Sequence, residues 1–346
     1  MKSGILEFGI LEFGILEFGI WNLGIWNLGI WNLEIWNLEF EIFYTLILLL
    51  KIFTMILFKR VVDLQKYIKS LKSKGLNIGF APTMGALHAG HTSLVELAKK
   101  SCDVAVVSIF INPTQFNDPK DLNKYPRTPE RDLELLAEAG CDVVFMPDVS
   151  EVYPNGNTPS VKYDFGKLER VLEGEFRPGH FDGMAQVVSR LLDIVQPTQL
   201  FMGQKDFQQL AIVARMLELQ KSKIELISCP IIREKDGLAM SSRNVRLTET
   251  DRPLAALIHQ TLEEAVEKVE DYTPSDIARI CSTKLKLEPR FKLEYFDIVD
   301  GRTLLPIRIF EDTDFAVALT AVWVGDVRLI DNIILKQSVI LSDLEE

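Results

Sequence analysis

Residues 77–91 read N-I-G-F-A-P-T-M-G-A-L-H-A-G-H, and this stretch decides the fold. The apolar run 77–81 ahead of Pro82 is a strand, and the glycine-bearing loop that follows opens a helix at His91. A strand, a loop and a helix in that order make the first half of a crossover unit.

The rhythm continues on both sides. Apolar residues at Val61, Leu64, Ile68 and Leu71 stripe one face of a helix ended by Gly75. Residues 103–111 form a doubly buried strand, and 128–139 a helix with Thr128 as N-cap, Pro129 in its first turn and Gly140 as its stop. Strands at 142–146, 199–202 and 224–228 alternate with helices at 181–195 and 206–219, and a short strand at 55–58 comes first. Such alternation gives a parallel sheet, with ligands expected beyond the carboxyl ends of its strands. After residue 232 the pattern changes to two helices (248–268, 274–285) and then strands at 292–299, 315–324 and 327–331. Gly325-Asp326 suits a hairpin between the last two. The expected fold class is therefore α/β, a parallel-sheet domain over 55–232 followed by a smaller α+β domain over 233–346 with an antiparallel sheet.

The chain has 346 residues, 47% hydrophobic and 25% charged, which excludes collagen, disorder and a disulfide-stapled mini-protein. Its 38 basic and 49 acidic residues leave a formal charge of -11, the wrong sign for a general nucleic-acid binder. Cys102, Cys141, Cys229 and Cys281 are far apart without a C-x-x-C pair, which reads as reduced thiols in a cytoplasmic protein. Residues 1–54 differ from the rest. G-I-L-E-F and then G-I-W-N-L repeat in tandem, at a period of five that suits neither helix nor strand. Both pentapeptides can be written from one short DNA word, so the tract reads as a translated AT-rich repeat ahead of a natural initiator, Met55. The competing reading is a membrane anchor over 40–58, against which Lys51 near its middle costs about 3 kcal/mol.

Four loops carry the chemistry. In the first, free N–H groups at a helix start favour an anion, and His88 and His91, three apart, can face the same phosphate. Capping or burial is the bland alternative for the pair, and a metal site lacks a third ligand at suitable spacing. In the second, F-I-N-P-T-Q-F over 110–116 places Asn112 and Gln115 at a carboxyl-end loop. The Gln115 amide both donates and accepts, which suits a small polar substrate. In the third, Gly203-Gln204-Lys205-Asp206 again joins a strand to a helix, with Asp206 either facing a phosphate or capping that helix. Gln208 and Gln209 follow. In the fourth, D-G-L-A-M-S-S-R-N over 236–244 sets two hydroxyls beside an arginine at the domain junction, a phosphate clamp on a loop able to close.

With Y-P-R-T (125–128), E-G-E-F-R-P-G-H-F-D-G (173–183) and R-E-K-D-G-L-A-M-S-S-R-N (233–244), these motifs closely resemble the pantothenate synthetase (pantoate–β-alanine ligase) family of the HIGH-type nucleotidyltransferase superfamily. The resemblance covers about 55–332. It implies a Rossmann-like first domain and a two-step reaction. The pantoate carboxylate attacks the α-phosphorus of ATP to give pantoyl adenylate, and the β-alanine amine then displaces AMP. It also implies magnesium with the nucleotide, a cytoplasmic homodimer paired through the first domain, and neither nucleic acid nor membrane as partner. Carried over by motif, His91 and His88 are catalytic, and Met84, Gly85, Ala86, Leu87, Ala89 and Gly90 join them along the ATP phosphates. Gly203, Gln204, Lys205 and Asp206 contact ribose and phosphate, Ile232 the adenine, and Met240, Ser241, Ser242 and Arg243 close over the triphosphate. Gln115 and Gln209 hold pantoate, and Asp132 is a magnesium contact. Tyr125, Arg177 and His180 lie in matching motifs. Gln204 departs from the family's usual Glu. Two rival readings are a nucleotidyltransferase that stops at an adenylated or cytidylylated product, and a membrane-tethered binding protein anchored by 1–58.

Overall fold

In the computed structural model, the described residues are 55–115, 122, 125–156 and 162–337. The repeat tract and the possible anchor up to residue 54 lie outside them, as does Phe116. Strands β1 (Ile56–Phe58), β2 (Ile78–Thr83), β3 (Val104–Ile109), β4 (Val143–Phe145), β5 (Gln199–Gly203) and β6 (Glu225–Cys229) form one parallel sheet ordered β1-β4-β3-β2-β5-β6. Every residue of β3 is buried, as befits a central parallel strand covered on both faces. Helices α1 (Val61–Ser73), α2 (Ala89–Ser101), α3 (Pro129–Glu138), α4 (Val149–Val152), α5 (Glu173–Phe176), α6 (His180–Val195) and α7 (Phe207–Leu219) fill the connections.

The strand order locates the ligand crevice. From β2 the chain steps outward through β3 to β4, then returns to lay β5 on the other side of β2. The order reverses between β2 and β5, and open α/β sheets bind their ligands outside the strand ends at such a point. The loops after β2, β3, β5 and β6 all emerge at that edge.

Beyond β6, helices α8 (Asp251–Leu254), α9 (Ala256–Glu267) and α10 (Pro274–Lys286) precede an antiparallel sheet, β7 (Phe291–Asp300), β8 (Phe315–Val324) and β9 (Val327–Gln337). The hairpin turn stands at Gly325-Asp326, where Gly325 has φ +56°. Alternation along β8 serves two cores. Phe315, Val317, Leu319 and Ala321 pack with the parallel-sheet core, whereas Ala316, Ala318, Val322 and Val324 pack with residues of α9 and α10. Phe207 and Phe315 meet at 5.9 Å between ring centroids, so apolar packing is continuous past residue 232.

Three local expectations are corrected. Thr128 stands at the N-cap position of α3 as expected, but its hydroxyl donates to Asp132 four residues on instead of accepting from the first turn. The helix expected from 248 begins at Asp251, whose N–H donates to the Thr248 hydroxyl. β9 runs to Gln337 rather than stopping at 331. Asp331 and Asn332 look like a strand end in sequence, but both are buried and fully engaged with partners from elsewhere in the chain.

Candidate active site

The loop after β2 is held in a conformation few residues adopt. The Thr83 hydroxyl donates to the Ser108 carbonyl (2.7 Å) and accepts from Gly85 N–H (3.3 Å). Gly85 (φ +81°) and Ala86 (φ +50°) are both left-handed, which costs a non-glycine residue about 1–2 kcal/mol. Asp132 offsets that cost. Its carboxylate accepts from Ala86 N–H (3.0 Å), Leu87 N–H (2.8 Å) and the Thr128 hydroxyl (3.1 Å), and the residue is 1% exposed. In place of the expected magnesium contact, Asp132 takes three donors and anchors the loop from below, outside the cavity wall.

At the start of α2 the two histidines cap the helix reciprocally. His88 Nδ1 accepts from Gly90 N–H (3.1 Å), and His91 Nδ1 accepts from His88 N–H (3.3 Å). A backbone N–H can only donate, so each Nδ1 is bare and each neutral ring carries its proton on Nε2. Burial pushes His88 down to about 4, helped by Lys205, and pushes His91 down to about 3, helped by His88. The rings lie 4.1 Å apart. Capping and phosphate contact do not compete here, because capping uses Nδ1 and leaves Nε2–H for a ligand. Gly90 is required for this: a Cβ there would sit 2.9 Å from the His88 ring.

One open cavity of about 210 Å³ gathers the rest. Met84, His88, Gly90 and His91 form one wall. Gly203, Lys205 and Asp206 form a second, and Ile232 with Met240 to Arg243 a third. Gln115 and Gln209 line the same cavity, together with Tyr125, Arg177 and His180. Tyr125, whose phenol is pushed up by burial, hydrogen-bonds Ser242. Asp206 makes no side-chain cap on α7, so the capping alternative falls away. Burial raises its carboxyl, but Lys205, Arg243 and Arg177 outweigh this and hold it below the usual range. Gly85, Ala86, Leu87 and Ala89 do not wall the cavity. Leu87 packs in the core, and the Ala86 amide faces Asp132.

The support behind these walls was less visible in sequence. Asn112, placed by sequence at the binding loop, is 1% exposed and acts from behind. Its amide donates to the Gly183 carbonyl (3.2 Å), and its own carbonyl accepts from the Tyr153 phenol (3.1 Å), steadying the turn Pro113–Gln115. Gly183 lets α6 press on that turn, since a Cβ would stand 2.3 Å from the Thr114 carbonyl. Gln204 also turns away from the cavity. Its amide donates to Asn332 Oδ1 (3.1 Å), while Asn332 Nδ2 donates to the carbonyls of Gln204 and Lys205 (3.0 Å each). Arg233 makes a bidentate pair with Asp331 (2.6 and 3.1 Å), so β9 ties down both the nucleotide loop and the root of the 236–244 segment. Gln208 is structural, holding Glu173 N–H and two carbonyls. Buried Glu173 accepts from Arg328 (2.7 and 2.8 Å) and the Tyr295 phenol (2.8 Å). A second cavity of about 510 Å³ adjoins the first and shares Arg177, Lys205, Asp206, Ser241 and Arg243 with it.

Comparison with known proteins is consistent along the whole of this region. The family model for pantoate-beta-alanine ligase matches residues 56–334. The pantothenate synthetase of Porphyromonas gingivalis is 47% identical over 279 residues, covering 81% of this chain and 99% of that protein. That of Phocaeicola vulgatus is 48% identical over 280 residues, with the same coverage. Among solved structures, pantothenate synthetase from Thermus thermophilus superposes with a TM-score of 0.75 at 38% identity, covering 82% of this chain and 100% of that one. Pantoate-beta-alanine ligase from Francisella tularensis, complexed with beta-gamma ATP and beta-alanine, has a TM-score of 0.67 at 35% identity, covering 81% and 98%.

Proposed function

The chain belongs to the pantoate–beta-alanine ligase family, and on that premise we propose how its residues divide the reaction between them. The enzyme condenses (R)-pantoate with β-alanine, consuming ATP and releasing pantothenate, AMP and diphosphate through a pantoyl-adenylate intermediate. In the first step the amides of Gln115 and Gln209 hold pantoate while its carboxylate attacks the α-phosphorus. A P–O bond forms there and the bond to diphosphate breaks. The Nε2–H groups of His88 and His91 donate to the α-phosphate as charge builds on its oxygens. Both rings are neutral at pH 7, so they act as fixed donors rather than as imidazolium acids. Lys205 and Arg243 balance the departing diphosphate, and Met240 to Ser242 close the third wall.

The observation that carries this reading is the pairing of two Nδ1-tethered imidazoles with two glutamine amides around one cavity. The test is an assay of residues 55–346 with ATP, magnesium, pantoate and β-alanine, each omitted in turn. Pantoate-dependent exchange of diphosphate into ATP is expected without β-alanine, and pantothenate only with all four. Exchange that ignores pantoate refutes the assignment.

Magnesium is proposed to arrive with the triphosphate as part of the substrate. Among the described residues no cluster of three or more ligating side chains exists, and Asp206 is the one carboxylate in the cavity wall. Nucleotide-borne magnesium, which keeps its waters and needs only one or two carboxylates, fits that supply. A homodimer through the parallel-sheet lobe is proposed as well. Among the described residues β6 is an edge strand, and the groove beside it and α7 includes Leu210, Leu217, Ile224 and Leu226 with charged residues among them; a monomer in sedimentation equilibrium at working concentration refutes the dimer. A cytoplasmic setting is proposed on the four unpaired, buried thiols.

A further inference from the structure

We infer that His180 is a further catalytic residue, accepting the proton that the β-alanine amine sheds as it attacks pantoyl adenylate. The inference rests on the ligase reading above and concerns only its second step. Three imidazoles line the cavity, and one differs from the other two. His88 and His91 spend their acceptor nitrogens on backbone N–H groups and present donors. His180 is wired the opposite way. Its Nδ1 lies 3.1 Å from the main-chain carbonyl of Gln115, which can only accept, so Nδ1 carries the proton and Nε2 keeps its lone pair. Among the described residues, Nε2 has no partner of its own. The ring is 5% exposed, and the turn it holds is the one that presents the Gln115 side chain.

The second step needs such an acceptor. The nitrogen lone pair forms the C–N bond, and the C–O bond to AMP breaks with its electron pair staying on the phosphate. The amine enters as ammonium and loses one proton to solvent before attack, and a second must leave nitrogen as the amide forms. That second proton goes to His180 Nε2 and from there to water. The cavity's other candidates are poorly suited. Asp206 is ionised, but its charge is shared with Lys205, Arg243 and Arg177, which hold its carboxyl below the usual range and weaken it as a base. The Tyr125 phenol, itself hydrogen-bonded, is a donor until it ionises. Burial and Arg177 keep the His180 ring neutral, at about 4, with Glu173 and Asp206 pulling the other way. Nitrogen bonded to the tetrahedral acyl carbon is far more acidic than a free ammonium, which narrows the gap to this weak base, and onward transfer to water draws the proton away.

The test uses the full chain carrying His180→Asn. The Asn amide nitrogen can occupy the place of Nδ1 and keep the bond to the Gln115 carbonyl, while nothing replaces Nε2. The first step is read by pantoate-dependent diphosphate–ATP exchange. The second is read by rapid quench of enzyme-bound pantoyl adenylate, preformed with pyrophosphatase present, against β-alanine. We expect exchange within several-fold of the parent with an unchanged KM for pantoate, and aminolysis slower by about 10²-fold or more, the usual loss of a general base. Aminolysis within several-fold of the parent overturns the proposal. Equal losses in both steps with a raised pantoate KM also overturn it, leaving His180 as a support for the Gln115 turn. Absence of pantoate-dependent exchange in the parent enzyme is a separate result, which strikes the ligase reading itself.

Discussion

Replacing Asp132 by Asn separates an anchor from a metal ligand. One carboxylate oxygen receives Leu87 N–H and the Thr128 hydroxyl, and the other receives Ala86 N–H at 3.0 Å. An Asn side chain keeps an acceptor for the first pair but turns an NH2 toward Ala86, so donor faces donor. A hydrogen bond to a charged group contributes about 1.5–3 kcal/mol, and the left-handed backbone at Ala86 adds an incentive for the loop to relax. We expect D132N to lose about 2–3 kcal/mol of stability, read as a lower urea midpoint with an unchanged slope. Since the loop leads into His88, the KM for ATP should rise, while the magnesium concentration giving half-maximal rate should stay that of the parent. A variant as stable as the parent but needing far more magnesium refutes the reasoning and restores Asp132 as a metal contact.

His91→Ala should lower turnover by about 10²–10³-fold, the loss expected for a preorganised transition-state donor; near-normal pantothenate formation removes His91 from the first step. Stability should fall on acidification. His88, His91 and His180 titrate at about 4, 3 and 4 when folded, below the ordinary 6.5, so the unfolded chain binds more protons and stability is complete only above about pH 6.5. Between about pH 6 and 4 the three together should cost up to about 4 kcal/mol per pH unit, and a denaturant midpoint flat over that window refutes this. Asn332→Ala should release the Gln204 and Lys205 carbonyls, raising the KM for ATP and lowering stability by about 2–3 kcal/mol, with pantoate affinity unchanged.

Much of the fold was legible because burial leaves periodic traces. The parallel strands appear as short apolar runs and α1 as a 3.6-residue stripe. Less legible were assignments resting on one polar residue. Thr128 looks like a cap and Asp132 like a ligand, yet they bond each other. Asp331-Asn332 looks like the end of a strand, because the partners that make them tolerable in its interior lie about 98 and 128 residues away. The same limit applied at the site. The loops that line the cavity were readable from glycines and motif spacing, but Asn332, Gly183 and Tyr295 act from behind through contacts no local pattern records. The Gln204 departure is mild in this structure, since its side chain faces Asn332 rather than the cavity.

The contact between Gly183 and the Thr114 carbonyl bears on inhibitor design. Main chain meets main chain there with no room for a Cβ, so the seat on which the Gln115 turn rests has no side chain to trim or swing aside. A compound that draws its selectivity from the position of the Gln115 amide relies on a turn that single substitutions cannot readily reseat. Escape variants are then expected at the Met240 and Ile232 rim, where side chains form the boundary.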